Sequence, residues 1–129
     1  MNKITPTRAK ELNQNFVKTR GKAIDRTIGK KDAISAWFSI DELKEYIAFV
    51  EKEGKQKGIT VNGLRVYFGA YADTDIEIPK KNMSTVFFVP TQANLGSGNG
   101  GDGDNSDIGD IDGLNHGTMG EPPSATYPQ

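Results

Sequence analysis

Every aromatic residue except Tyr127 lies before Gln92, and this asymmetry limits the size of the core the chain can build. Residues 1–92 hold the periodic apolar runs, whereas residues 93–129 have nine glycines among 37 positions. Ninety or so residues suffice for one modest core. A segment with so few large apolar side chains cannot offset the entropy of ordering it, so residues 93–129 are expected to form a Gly/Asp-rich flexible tail. Charge follows the same division. Residues 1–31 carry nine Lys/Arg against Glu11 and Asp25, a net +7, and residues 93–129 carry six acids and no base, a net −6. The net −1 of the whole chain conceals this dipole. Oppositely charged ends can pair with each other or with separate partners.

The expected fold class is α+β: a small mixed, largely antiparallel sheet of about three strands packed with two or three helices, and a disordered C-terminal tail. The first helix should start at Thr5, with Pro6 in the first helical position, where its missing N–H costs nothing. Ala9, Leu12 and Phe16 give it an apolar stripe, and Gly21 should weaken or end it. Ile24 and Ile28 imply a further turn or two, stopped by Gly29. Residues 33–38 (Ala-Ile-Ser-Ala-Trp-Phe) read as a short strand. Ser39-Ile40-Asp41-Glu42 has capping-box spacing and opens a helix over residues 40–57. Leu43, Ile47 and Val50, with Tyr46 and Phe49 beside them, are its expected buried face. Residues 64–71 follow the turn pair Asn62-Gly63 and are rich in β-formers, as are residues 84–90. The alternation Ile76-Glu77-Ile78 could extend a hairpin arm between them.

Composition excludes several chemistries. With no cysteine there is neither a disulfide framework nor a thiolate nucleophile. The only histidine, His116, falls in the tail, where a general base would lack a rigid position. Gly96-Ser97-Gly98-Asn99-Gly100-Gly101 matches a dinucleotide-binding fingerprint, yet no helix follows to receive a phosphate. Gly29-Lys30-Lys31 lacks the upstream glycine and the final Ser/Thr of a P-loop. Asp102, Asp104, Asp107, Asp110 and Asp112 are hard oxygen donors, but their spacing fails the EF-hand pattern, leaving at most weak Ca²⁺ binding by the acidic tail. No cofactor and no catalytic residue is expected. The start of the chain has no apolar run of signal-peptide type, and no stretch is long enough to span a bilayer, so a soluble cytoplasmic protein is the expectation.

Two surfaces could bind. Strand alternation puts Arg65, Tyr67 and Tyr71 on one face of residues 64–71, and with Trp37 they could form a stacking platform for single-stranded nucleic acid. The basic N-terminal region would then meet phosphates. The competing reading has Leu12 and Phe16 of the first helix cover that face, because an aromatic-rich sheet face is usually core. In the tail, Leu114-Asn115-His116, Pro122-Pro123 and Tyr127 resemble a docking peptide more than a spacer.

Three segments taken together, residues 36–47 (Ala-Trp-Phe-Ser-Ile-Asp-Glu-Leu-Lys-Glu-Tyr-Ile), 64–71 (Leu-Arg-Val-Tyr-Phe-Gly-Ala-Tyr) and 84–91 (Ser-Thr-Val-Phe-Phe-Val-Pro-Thr), are similar in order to a group of small uncharacterised bacterial proteins, mainly of Bacteroidota. The resemblance implies one α+β domain with a Gly-rich tail, and no assigned activity. The leading expectation is a non-enzymatic protein-interaction module whose acidic tail docks to a partner or folds back on the basic N-terminal region. The alternative is the single-strand nucleic-acid binder.

Overall fold

Local chemistry sets most element boundaries. In the computed structural model, which describes residues 1–75, 80–93, 105–115, 118–119 and 124–129, the elements run α1 (Pro6–Phe16), a π-helical turn (Val17–Gly21), α2 (Lys22–Ile28), β1 (Ala36–Trp37), α3 (Ile40–Gln56), β2 (Gly63–Ala70), β3 (Ser84–Ala93), β4 (Asn105–Asp107) and β5 (Thr118–Met119). The fold is α+β, as the order of sequence signals implies. A three-stranded antiparallel sheet has the order β2-β3-β4, and β1 pairs separately with β5. The sequence alternation at Ile76-Glu77-Ile78 lies outside the described residues. The chain divides into two compact units, Met1–Trp37 with Gly69–Thr85 and Thr118–Gln129, and Phe38–Phe68 with Val86–Gly117.

In the first unit, Thr5 caps α1 as expected, its hydroxyl accepting the Arg8 N–H at 3.1 Å with Pro6 at the helix start. Gly21 does not break the helix. Its backbone stays right-handed at φ −56° and ψ −50°, and the chain passes through the π turn into α2, absorbing one extra residue instead of stopping. Gly29 provides the stop, at φ 73°, a conformation that glycine adopts without steric cost. Ala33 and Met83 are the buried apolar residues here. Asp32 is buried beside them at 1% exposure. Its carboxylate accepts the Ser84 N–H at 2.6 Å and the Ser84 hydroxyl, while its own N–H donates to Asp25 Oδ1 at 2.8 Å. A buried carboxylate needs such partners, and these tie the end of the helical segment to the start of β3. The strand expected over residues 33–38 shortens to β1, which pairs antiparallel with β5 in the register Ala36↔Met119 and Trp37↔Thr118.

The second unit is organised by α3. Ser39 caps it, accepting the Glu42 N–H at 2.9 Å, and Gly58 follows its end at φ 70°. The buried stripe is Tyr46, Val50 and Gly54, whereas Ile47 and Phe49 are exposed. The expected face of Leu43, Ile47 and Val50 is therefore rotated toward a run of i, i+4, i+8 spacing. Gly54 explains the rotation: the chain returns directly over it, with the Ile59 N–H donating to Gly54 O at 2.8 Å.

The core of this unit is Tyr46, Val50, Ile108 and Ile111, with Ile59, Val61, Leu64, Phe88 and Leu114 packed against it. Two of the four buried residues lie beyond Gln92, so the boundary expected there is not where the core ends. After β3 runs to Ala93, β4 pairs with it in the register Thr91↔Asp107, Gln92↔Ser106 and Ala93↔Asn105. The Ile108 N–H then donates to Pro90 O at 3.0 Å. Leu114 and Phe88 exchange both backbone hydrogen bonds at 2.9 Å. Burial of Ile108 and Ile111, at 3% and 6% exposure, works with these backbone hydrogen bonds against the ordering entropy of residues 105–115.

Candidate functional site

β2 presents two different faces in the second unit. Leu64 packs on the core, but Val66 and Phe68, which alternate with it, are exposed at 49% and 88%. On the opposite face Arg65 and Tyr67 converge on Asp107 of β4. Arg65 pairs with one carboxylate oxygen and donates to Asn105 O at 2.9 Å, and the Tyr67 hydroxyl donates to the other oxygen. The Tyr67 ring stacks on Phe87, with centroids 5.4 Å apart and planes 18° apart. Asn62 fixes the near end of this lattice, donating to Asn105 Oδ1 at 2.8 Å and accepting from the Thr91 hydroxyl at 2.8 Å.

These contacts bias each group toward its present protonation state. The hydrogen bond from Tyr67, assisted by the hydrogen bond and charge of Arg65 and opposed by desolvation, holds the Asp107 carboxyl below its ordinary range. The hydrogen bond to Asp107, together with burial and the charge of Asp107, pushes the Tyr67 hydroxyl up, although Arg65 opposes this. The Arg65 guanidinium is raised, chiefly by its hydrogen bond to Asp107. A guanidinium committed to a carboxylate and a carbonyl has less to offer a phosphate.

The remaining platform candidates belong to the first unit. Trp37 lies in β1 with 62% of its surface exposed. Tyr71 donates its N–H to Met83 O at 3.0 Å, its hydroxyl accepts from Thr85 at 3.4 Å, and Lys80 Nζ stands 5.9 Å from its ring centroid. Leu12 is 43% exposed, and α1 has no buried residue.

The expected docking peptide is divided. Leu114 and Asn115 are built into the second unit, Asn115 Nδ2 donating to Val86 O at 2.7 Å. His116, Pro122 and Pro123 lie outside the described residues. Tyr127 belongs to the first unit, where its N–H donates to Asn13 Oδ1 of α1 at 2.8 Å. Gln129 Nε2 donates to Ser35 Oγ at 3.2 Å and to Ala125 O at 3.3 Å.

Of the aspartates considered for calcium, Asp102 and Asp104 lie outside the described residues. Asp107 is bound to Arg65 and Tyr67, Asp110 pairs with Lys57 at 3.5 Å, and Asp112 lends its carbonyl to the Tyr46 hydroxyl at 2.9 Å. No cluster of three metal-ligating side chains occurs among the described residues. No described helix is long and apolar enough to cross a membrane. Comparison with protein-family models, curated proteins and solved structures finds no match to this chain.

Proposed function

We propose that this chain is a non-enzymatic protein-interaction module whose C-terminal end is a self-docked strap on the basic N-terminal unit, where it competes with an acidic protein partner. The observation that carries this reading is the seating of the last residues: the Tyr127 N–H on Asn13 and the Gln129 amide on Ser35. The β1–β5 pairing brings residues 118 and 119 to the same unit. The N-terminal segment that receives the strap is basic. Lys10, Lys18 and Lys22 have no ion pair among the described residues. Competition rests on occupancy more than on tail charge, since Asp107 and Asp110 are paired within the other unit.

The test compares the full chain with a variant lacking residues 124–129 and with Asn13→Ala, using a labelled polyglutamate peptide as probe. Both variants should bind it more tightly at low salt. The gain should fade toward 0.15 M salt, where the screening length falls to about 8 Å. Unchanged binding at low salt would remove this reading.

The Tyr67–Phe87 stack, in which Tyr67 is exposed and Phe87 half-buried, supports a second reading, single-stranded nucleic-acid binding. It requires that Tyr67→Ala weaken oligothymidylate binding by about 1–3 kcal/mol without unfolding the domain.

A further inference from the structure

β2 is an edge strand, hydrogen-bonded only to β3 among the described residues. Proteins usually blunt such edges with a charge, a proline, a bulge or a very short strand, because free N–H and C=O groups recruit other chains. Beyond its first residue, neither charge, proline nor shortness protects β2. It is eight residues long and has no proline, and its one charged residue, Arg65, is turned onto Asp107. Val66 and Phe68 leave its apolar face uncovered.

A recess runs beside this edge. Ile47, Val50 and Glu51 of α3 and residues 61–64 line a space of about 240 Å³. It adjoins a second space of about 410 Å³, lined by Glu51, Lys52, Lys55, Ile59, Thr60 and Val61. Glu51 and Val61 are common to both, so the two form one groove. Its β2 end is apolar and its other end is cationic. Lys52 and Lys55 have no ion pair among the described residues, whereas Lys57 is held by Asp110 at 3.5 Å. The Tyr71 N–H points to Met83 O at 3.0 Å, so strand alternation turns the N–H groups of Leu64 and Val66 to the open edge.

We infer that the groove between α3 and the edge of β2 receives an extended protein segment as an added strand, with alternate apolar side chains in the recess and a carboxylate at Lys52 and Lys55. Backbone hydrogen bonds would supply attachment and the recess and lysines would supply selectivity, as in other cases of strand addition beside a helix. Charge complementarity sets the direction of the segment. Glu51, where the two recesses meet, repels a carboxylate placed elsewhere along the groove. This site is independent of the C-terminal strap.

The probes are two N-acetylated heptapeptides, Thr-Val-Thr-Val-Thr-Val-Glu with a free carboxylate and Thr-Val-Thr-Val-Thr-Val-Lys amide, each titrated into the full chain and followed by amide NMR. The acidic peptide should shift residues 47–55 and 59–66 and slow hydrogen exchange at Leu64 and Val66. It should bind about tenfold more tightly than its basic counterpart. The double substitution Lys52→Glu and Lys55→Glu, at two exposed positions, should reverse that preference while leaving the rest of the spectrum in place. Overturning outcomes are the absence of any shift at millimolar peptide, shifts centred elsewhere, or equal binding of the two peptides. Preference unaffected by the charge reversal also counts against the inference.

Discussion

A Cβ placed on Gly54 would stand 2.8 Å from both Ile59 O and Val61 Cγ2, closer than real side chains approach. The same atom on Gly21 would meet Phe16 O at 3.7 Å and the Val17 Cβ at 3.9 Å, an ordinary contact on a right-handed backbone. Alanine should therefore act in opposite directions at the two sites. Gly54→Ala should lower the urea midpoint by the equivalent of about 1–3 kcal/mol through overpacking. Gly21→Ala should raise it by about 0.4–1 kcal/mol through a less flexible unfolded chain. Asp107 gives a different kind of test. Its carboxyl titrates below the ordinary 3.8 in the folded protein, so the unfolded chain takes up its proton first as pH falls. The stability this group contributes is present above the unfolded value and is lost as pH drops through the folded one. Asp107→Asn should flatten that part of the acid-denaturation curve and bring the Tyr67 hydroxyl back toward its ordinary 10.0.

At the scale of elements, the helix starts were legible because a few side chains determine them. Thr5 with Pro6 and Ser39 with Glu42 cap in the structure as their spacing requires. β2 and β3 were legible as runs of β-formers. The face of α3 was less so, because Tyr46, Ile47, Phe49 and Val50 offer several stripes, and only the return of the chain over Gly54 selects one. Residues 105–115 were hidden for a related reason. Ile108, Ile111 and Leu114 recur at intervals of three among aspartates and glycines, and that interval was their only signal. Since the first two are core, Ile108→Ala should cost about 2–5 kcal/mol in chemical denaturation. A surface tail residue would cost almost nothing. Of the proposed platform, alternation gave the shared face of Arg65 and Tyr67 but not Asp107, which reaches them from a strand 40 residues later.

For the whole molecule, the same core decides where the chain can be shortened. Ending it at Gln92 removes Ile108 and Ile111 together with β4 and the Leu114–Phe88 bridge. That product should lose cooperative unfolding in calorimetry. Ending it at Gly117 preserves all of these and should keep a cooperative transition. Charge is also redistributed by the fold: acids that make the C-terminal third so negative in sequence are partly neutralised by Lys57 and Arg65. The pairing of Ala93 with Asn105 has one more consequence. The eleven residues between them join two points that the sheet already holds side by side. The cost of closing a connection between fixed ends grows with the logarithm of its length, so doubling this span should cost only about 0.6 kcal/mol. It is accordingly the natural place to splice in a reporter or an affinity sequence without redesigning the domain around it.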